Sequence, residues 1–143
     1  AAATNTVLVR AMGDLLINNG YATHALILFR EALAKGGDRS LPLLIMTAAT
    51  FGEVKEYRQA IPLLRKALDL DPNQPGPLSG LSGCFEALGD TDQAIRYAEQ
   101  YSAKVPDDSA ARLRLANLYD KAGRAQEAAA LRSELKSGEK KKP

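Results

Sequence analysis

Residues 56–72 read EYRQAIPLLRKALDLDP, and Ala60 within that stretch decides the fold because it recurs. Moving outward along the chain, the same position is held by Ala25 on one side and by Ala94 and Ala128 on the other, at spacings of 35, 34 and 34 residues. A large residue stands nine before each alanine: Leu16, Phe51, Phe85 and Tyr119. Five before it comes a helix breaker, Gly20, Gly89 or Gly123, with Lys55 the exception in the second copy. Self-similarity at this period specifies a stack of helix pairs, since one pair alone cannot bury its apolar face. The expected fold class is therefore all-α, a solenoid of four helix-turn-helix repeats and about eight helices.

Helix punctuation divides the chain into repeats at about 6–39, 41–74, 75–108 and 109–136. Asn5 or Thr4 caps a first helix that closes at Asn19-Gly20, and the second runs from about Ala22 to Lys35. Pro42 suits a first helical turn, and Pro62 falls inside the helix spanning about Glu56 to Leu70, where it removes a backbone hydrogen bond. The third repeat reads as about Pro77 to Leu88 and Thr91 to Lys104. The fourth, capped by Asp107 or Asp108, reads as Ala110 to Ala122 and Ala125 to about Lys136. Residues 1–5 are expected to be a disordered lead. Residues 137–143 are expected to be a disordered lysine-rich tail, lacking apolar residues to anchor them.

Around the alanines the columns keep helical spacing. Four and seven residues after each stand Phe29/Ala32, Leu64/Ala67, Ala98/Tyr101 and Arg132/Leu135. Large and small exchange places in the third pair, a volume-conserving swap. The fourth repeat replaces apolar positions with Arg112, Arg132 and Lys136, which is the polar outer face a terminal repeat needs. At the other end Val7, Leu8, Val9, Met12, Leu15, Leu16 and Ile17 wrap most of the first helix, so it requires cover from an upstream helix or a partner.

A chain of 143 residues with 45% hydrophobic and 25% charged residues reads as one ordinary globular domain. The formal net charge of +2 is carried by the tail: without Lys136, Lys140, Lys141, Lys142 and Glu139 there remain 15 basic and 16 acidic side chains. Such a body is not built to grip phosphate backbones, and no nucleic-acid partner is expected. With Cys84 as the single cysteine, no internal disulfide forms. No apolar run reaches membrane-spanning length, so no membrane insertion by this chain is expected. A cytoplasmic setting is expected, with a periplasmic or membrane-anchored parent protein left open by the Ala1-Ala2-Ala3 start.

The columns resemble the tetratricopeptide repeat (TPR) family over about residues 6–136. The resemblance is carried by Tyr57, Ala60, Leu64, Ala67-Leu68 and Asp71-Pro72 in repeat two and by Leu81, Phe85, Gly89, Ala94 and Pro106 in repeat three. Repeat one adds Gly13, Gly20, Ala25, Phe29 and Ala32-Leu33, and repeat four adds Leu115, Tyr119, Gly123 and Ala128. The family's tryptophan is replaced by Val9, Leu44, Leu78 and Arg112. The resemblance implies a right-handed superhelix whose first helices line a concave, partner-binding groove. Its groove-lining columns fall on Val7, Arg10, Asp14, Ile17 and Asn18 in repeat one, Ile45, Met46, Ala49 and Glu53 in repeat two, Ser79, Gly80, Gly83 and Glu86 in repeat three, and Leu113, Arg114, Asn117 and Lys121 in repeat four. Co-chaperone members hold a terminal carboxylate with a Lys/Asn/Lys/Arg clamp. Arg10 and Asp14 stand where that clamp wants Lys and Asn, so that ligand is disfavoured.

Two features of this groove stand out from the residues themselves. Gly76, Gly80 and Gly83 crowd one short helix, at roughly 1 kcal/mol each relative to alanine, which suggests close approach by a ligand or simply loose helix packing. Arg114, Asn117 and Lys121 share one helix face, a pattern that can receive a carboxylate or an acidic peptide, or else lie solvated near Asp120.

No catalytic set is present: His24 is the only histidine, LSGLSG lacks the lysine of a phosphate loop, and the aspartates mark helix ends. No enzyme activity, metal or cofactor is expected. The expected function is a protein-interaction scaffold that binds a protein or peptide partner in its groove. The alternative is an assembly module that self-associates through its apolar first helix or through a convex patch at Ile27 and Leu28. A narrower version of the first is a bacterial secretion-type chaperone, because PLSGLSGCFEALGDTDQAI is similar to repeats of that class.

Overall fold

The computed structural model describes residues 5–139. Among these residues the chain forms eight α-helices: α1 (Thr6–Asn18), α2 (Ala22–Ala34), α3 (Leu41–Glu53), α4 (Tyr57–Leu70), α5 (Pro75–Ala87), α6 (Thr91–Lys104), α7 (Ser109–Lys121) and α8 (Ala125–Glu139). A single 3-10 turn, Gly37–Arg39, precedes α3. The starts follow from short polar side chains that satisfy otherwise orphaned amides. The N–H of Leu8 donates to Asn5, that of Leu43 to Ser40, that of Gln93 to Asp90 and that of Ala111 to Asp108. Pro42 sits in the first turn of α3, where its missing N–H costs nothing, whereas Pro62 lies inside α4.

Each helix pair is joined by the same turn. After α1, α3, α5 and α7 one residue adopts a left-handed conformation: Gly20 (φ 81°), Lys55 (φ 63°), Gly89 (φ 80°) and Gly123 (φ 74°). The next N–H reaches back to the carbonyl of the large residue that precedes each alanine by nine. Tyr21 donates to Leu16, Glu56 to Phe51, Asp90 to Phe85 and Arg124 to Tyr119, at 2.8–2.9 Å. A second bond runs from the left-handed residue itself to Ile17, Gly52, Glu86 or Asp120. These two bonds satisfy the last carbonyls of a helix in the manner of a Schellman turn. Lys55, the apparent exception in sequence, makes the same turn without the glycine.

The chain packs as two compact units that divide between Gly80 and Leu81, inside α5. Length suggested one domain; the division reflects a repeat architecture, in which elements touch only their neighbours and no single core spans the chain. In the first unit Ala25, Phe29, Ala32 and Leu43 form a buried cluster, with Val9, Leu16, Ile17, Leu33 and Met46 packed on it. In the second, Ala94, Ile95, Ala98, Leu115, Ala116, Leu118, Tyr119 and Ala128 do the same. All four repeated alanines are fully buried. Gly13 shows how tightly the first pair crosses, for a Cβ there would lie 2.1 Å from Cζ of the buried Phe29.

The exchange of volumes at Ala98 and Tyr101 has a polar consequence. Tyr101 is long enough for its hydroxyl to donate to Asp108 Oδ2 at 2.8 Å, while the other oxygen of Asp108 caps α7. These two bonds hold the Asp108 carboxyl below its ordinary value. The polar face of the fourth repeat is internally paired: Arg112 to Glu134 and Arg132 to Asp120, each at 2.7 Å. The expected tail requires a correction at its start, since Ser137, Gly138 and Glu139 continue α8, with the Ser137 hydroxyl donating to the Ser133 carbonyl. Residues 140–143, like residues 1–4 of the expected lead, lie outside the described residues, whereas Asn5 caps α1.

Candidate functional site

In the first unit, α1 and α3 touch. Arg10, Asp14 and Ala49 are exposed, and Ile17 and Ile45 are half-buried. Ile17 and Met46 have their inner edges packed on the cluster around Phe29. Beyond them on α1, Val7, Leu8, Met12 and Leu15 are 76%, 55%, 46% and 67% exposed, so the apolar first helix is indeed largely uncovered. Ser79 and Gly80 are half-buried on α5. A Cβ at Gly80 would meet both methyls of Leu64 at 3.1 Å. Close approach to this backbone therefore comes from α4, which accounts for the glycine without a ligand.

In the second unit Arg114 and Lys121 converge on Glu86, a residue of the same predicted groove columns. Glu86 of α5 accepts from Arg114 Nε and Nη2 on Oε2, at 3.0 and 2.7 Å, and from Lys121 Nζ on Oε1, at 2.8 Å. The two cations of the expected anion receptor thus already hold a carboxylate. Lys121 and Arg114 keep the Glu86 carboxyl below its usual range against a smaller opposing effect of burial. Gly83, one turn earlier on α5, faces the same guanidinium: a Cβ there would lie 3.4 Å from Arg114 Nη2, an ordinary contact. Asn117, between the cations on α7, accepts from Arg132 Nη2 at 2.7 Å, and the same nitrogen donates to Asp120 Oδ2 at 2.7 Å. Asp120 is therefore partnered by α8 rather than by the receptor's cations.

The signal for Glu86 was present in the sequence: Lys121 follows it by 35 residues, about one repeat length, and Arg114 stands two helical turns before Lys121, which sets opposite charges on successive first helices. The serine of the same stretch also has a packing role, because the buried Ser82 hydroxyl donates to the Ala94 carbonyl at 2.9 Å and ties α5 to α6. A cavity of about 360 Å³ lies elsewhere in this unit, lined by Ser109, Ala110, Leu113, Arg132, Leu135, Lys136 and Glu139. Of the predicted groove residues, Leu113 lines it.

Among the described residues no group of three His, Cys, Asp or Glu side chains is placed to hold a metal ion. No described helix is long and apolar enough to cross a membrane. Cys84 is buried, and desolvation raises its thiol pKa. His24 packs edge-on against Tyr21 at the exposed start of α2.

Sequence comparison agrees with the geometry of the turns and the alanine crossings. The tetratricopeptide repeat family matches residues 53–110 and 86–137, more than half of the chain. The chain belongs to the tetratricopeptide repeat family. It is 38% identical over 74 residues to Small glutamine-rich tetratricopeptide repeat-containing protein 2 of Mycosarcoma maydis, a match covering 52% of this chain. That match covers 21% of the relative, so the chain spans about a fifth of its length. Among solved structures, a crystal structure of MamA superposes with a TM-score of 0.87 at 18% identity, covering 98% of this chain and 81% of that one. MamA 41-end from Desulfovibrio magneticus RS-1 gives 0.83 at 17% identity, covering 92% and 74%. At these identities the likeness shows the fold. Proteins of this family generally mediate protein–protein interaction and are generally non-catalytic.

Proposed function

We propose that this chain is a non-enzymatic interaction module that binds a peptide or helix of a protein partner along the faces of its first helices. The observation that carries the reading is on α1 and α3, which touch and on which Ile17, Ile45 and Met46 are half-buried and Ala49 is exposed. Half-exposed apolar side chains on a rigid frame lose little entropy when a partner covers them, which favours binding. A pull-down comparing the wild type with Ala49→Arg tests this, because the variant adds bulk and charge at an exposed position. Gly80→Arg is unsuitable, since its side chain would press on Leu64 and test folding instead. Loss of the partner on Ala49→Arg, with the helix content unchanged, is the expected result; undiminished capture refutes the reading.

A second reading is favoured by a separate observation. Four exposed apolar residues on α1 (Val7, Leu8, Met12 and Leu15) form a larger apolar surface than isolated surface residues do, which supports association of one copy with another. Sedimentation over a wide concentration range decides it: a strict monomer excludes self-association, and a dimer lost on Leu15→Glu supports it.

A further inference from the structure

We infer that Glu86 is a built-in occupant of the anion receptor on the second unit and sets its specificity by excluding acidic segments of a partner. The inference rests on the reading of the first-helix faces as a protein-binding surface. Its starting point is the geometry: three N–H donors from α7 converge on one carboxylate of α5 and use both of its oxygens. A ligand carboxylate drawn to these two cations competes with Glu86 for their charge and for the Nε/Nη2 edge of Arg114. Asn117, the amide between the two cations, is held in place through its oxygen by Arg132.

The size of the exclusion follows from competition. A ligand that binds only the open receptor has its affinity reduced by the fraction of time the receptor is open. One exposed ion pair shifts such an equilibrium by up to about fivefold. Two cations on the same carboxylate, which is only 27% exposed, bring the expected effect to about tenfold. With Glu86 in place, the three side chains carry a net charge of +1, and the Nε/Nη2 edge of Arg114 is committed to Glu86. The native face then favours neutral segments, and an acidic one must displace Glu86 at a cost.

The test is a direct titration of the folded chain with a fluorescein-labelled acidic hexapeptide, EDGEDG, bearing a free C-terminal carboxylate. Glu86→Gln is expected to bind it about tenfold more tightly than the wild type. The exposed Asp107→Asn, which changes net charge equally but leaves the receptor closed, is expected to match the wild type. Adding Arg114→Ala to Glu86→Gln is expected to abolish the gain, and Glu86→Ala is expected to reproduce it, which guards against a peculiarity of one substitution. A gain for Glu86→Gln no larger than that for Asp107→Asn, or a gain that survives loss of Arg114, overturns the inference. Because the probe is titrated directly, the outcome is independent of whether Ala49→Arg releases a protein partner.

Discussion

Replacing Lys55 with glycine should stabilise the protein, and the structure gives the size of the effect. Lys55 has φ 63°, among turns whose other members are glycines at φ 74–81°. The left-handed conformation costs an L-residue roughly 1–2 kcal/mol. Glycine relieves that cost but surrenders about 0.5–1 kcal/mol through the greater freedom of the unfolded chain. The side chain of Lys55 is exposed, so its removal uncovers no core. The net gain is therefore about 0.5–1 kcal/mol, equivalent to a rise of about 2–3 °C in Tm for a chain of this size. Urea and thermal melts followed by circular dichroism at 222 nm measure it, with Gly89→Lys as the reciprocal change and an expected loss of similar size. Both turns should keep their two backbone bonds, so exchange of the Glu56 and Asp90 amides stays slow. A Lys55→Gly chain no more stable than the wild type, alongside a Gly89→Lys chain that loses nothing, would refute the argument that the repeat imposes this backbone.

Three other outcomes follow from packing and charge. Gly13→Ala should destabilise the first unit by about 3 kcal/mol, since its Cβ collides with a ring that is fully buried, and Phe29→Leu in the same chain should recover part of the loss in a double-mutant melt. The Ser102 hydroxyl is buried with no hydrogen-bond partner, so Ser102→Ala should leave stability unchanged or raise it by about 1 kcal/mol in a urea titration. Burial and the hydrogen bond to Glu99 push the Tyr119 phenol up to about 12. The unfolded phenol ionises near 10, so the stability linked to Tyr119 is intact below pH 10 and is lost as pH rises towards 12. Tyr119→Phe melts should show a shallower decline across that interval; equal slopes would contradict the assignment.

Repetition made the helix ends, the alanine crossings and the family legible, because each column is read four times and an error in one copy is corrected by the others. Lys55 illustrates the point: its residue type argues against a left-handed turn, and the register of Phe51 and Ala60 imposes one. What the columns do not carry is the identity of the group that fills a space. Gly80 fits a ligand's approach or a neighbouring helix equally in sequence, and it is Leu64 of α4 that lies against it. Arg114 and Lys121 read either as an anion receptor or as a solvated face, because a pattern along one helix does not say which group of the neighbouring helix, here Glu86, pairs with it. Composition misled at Ser137–Glu139, where polar residues and a glycine read as tail although α8 continues through them.

The central claim is that a protein partner lies along the first helices, and hydrogen–deuterium exchange of the complex tests it most directly. The account predicts new protection in α1 and α3, with α2 and α4 unchanged relative to the unbound chain. Protection confined to α2 and α4, with none gained in α1 and α3, would contradict it.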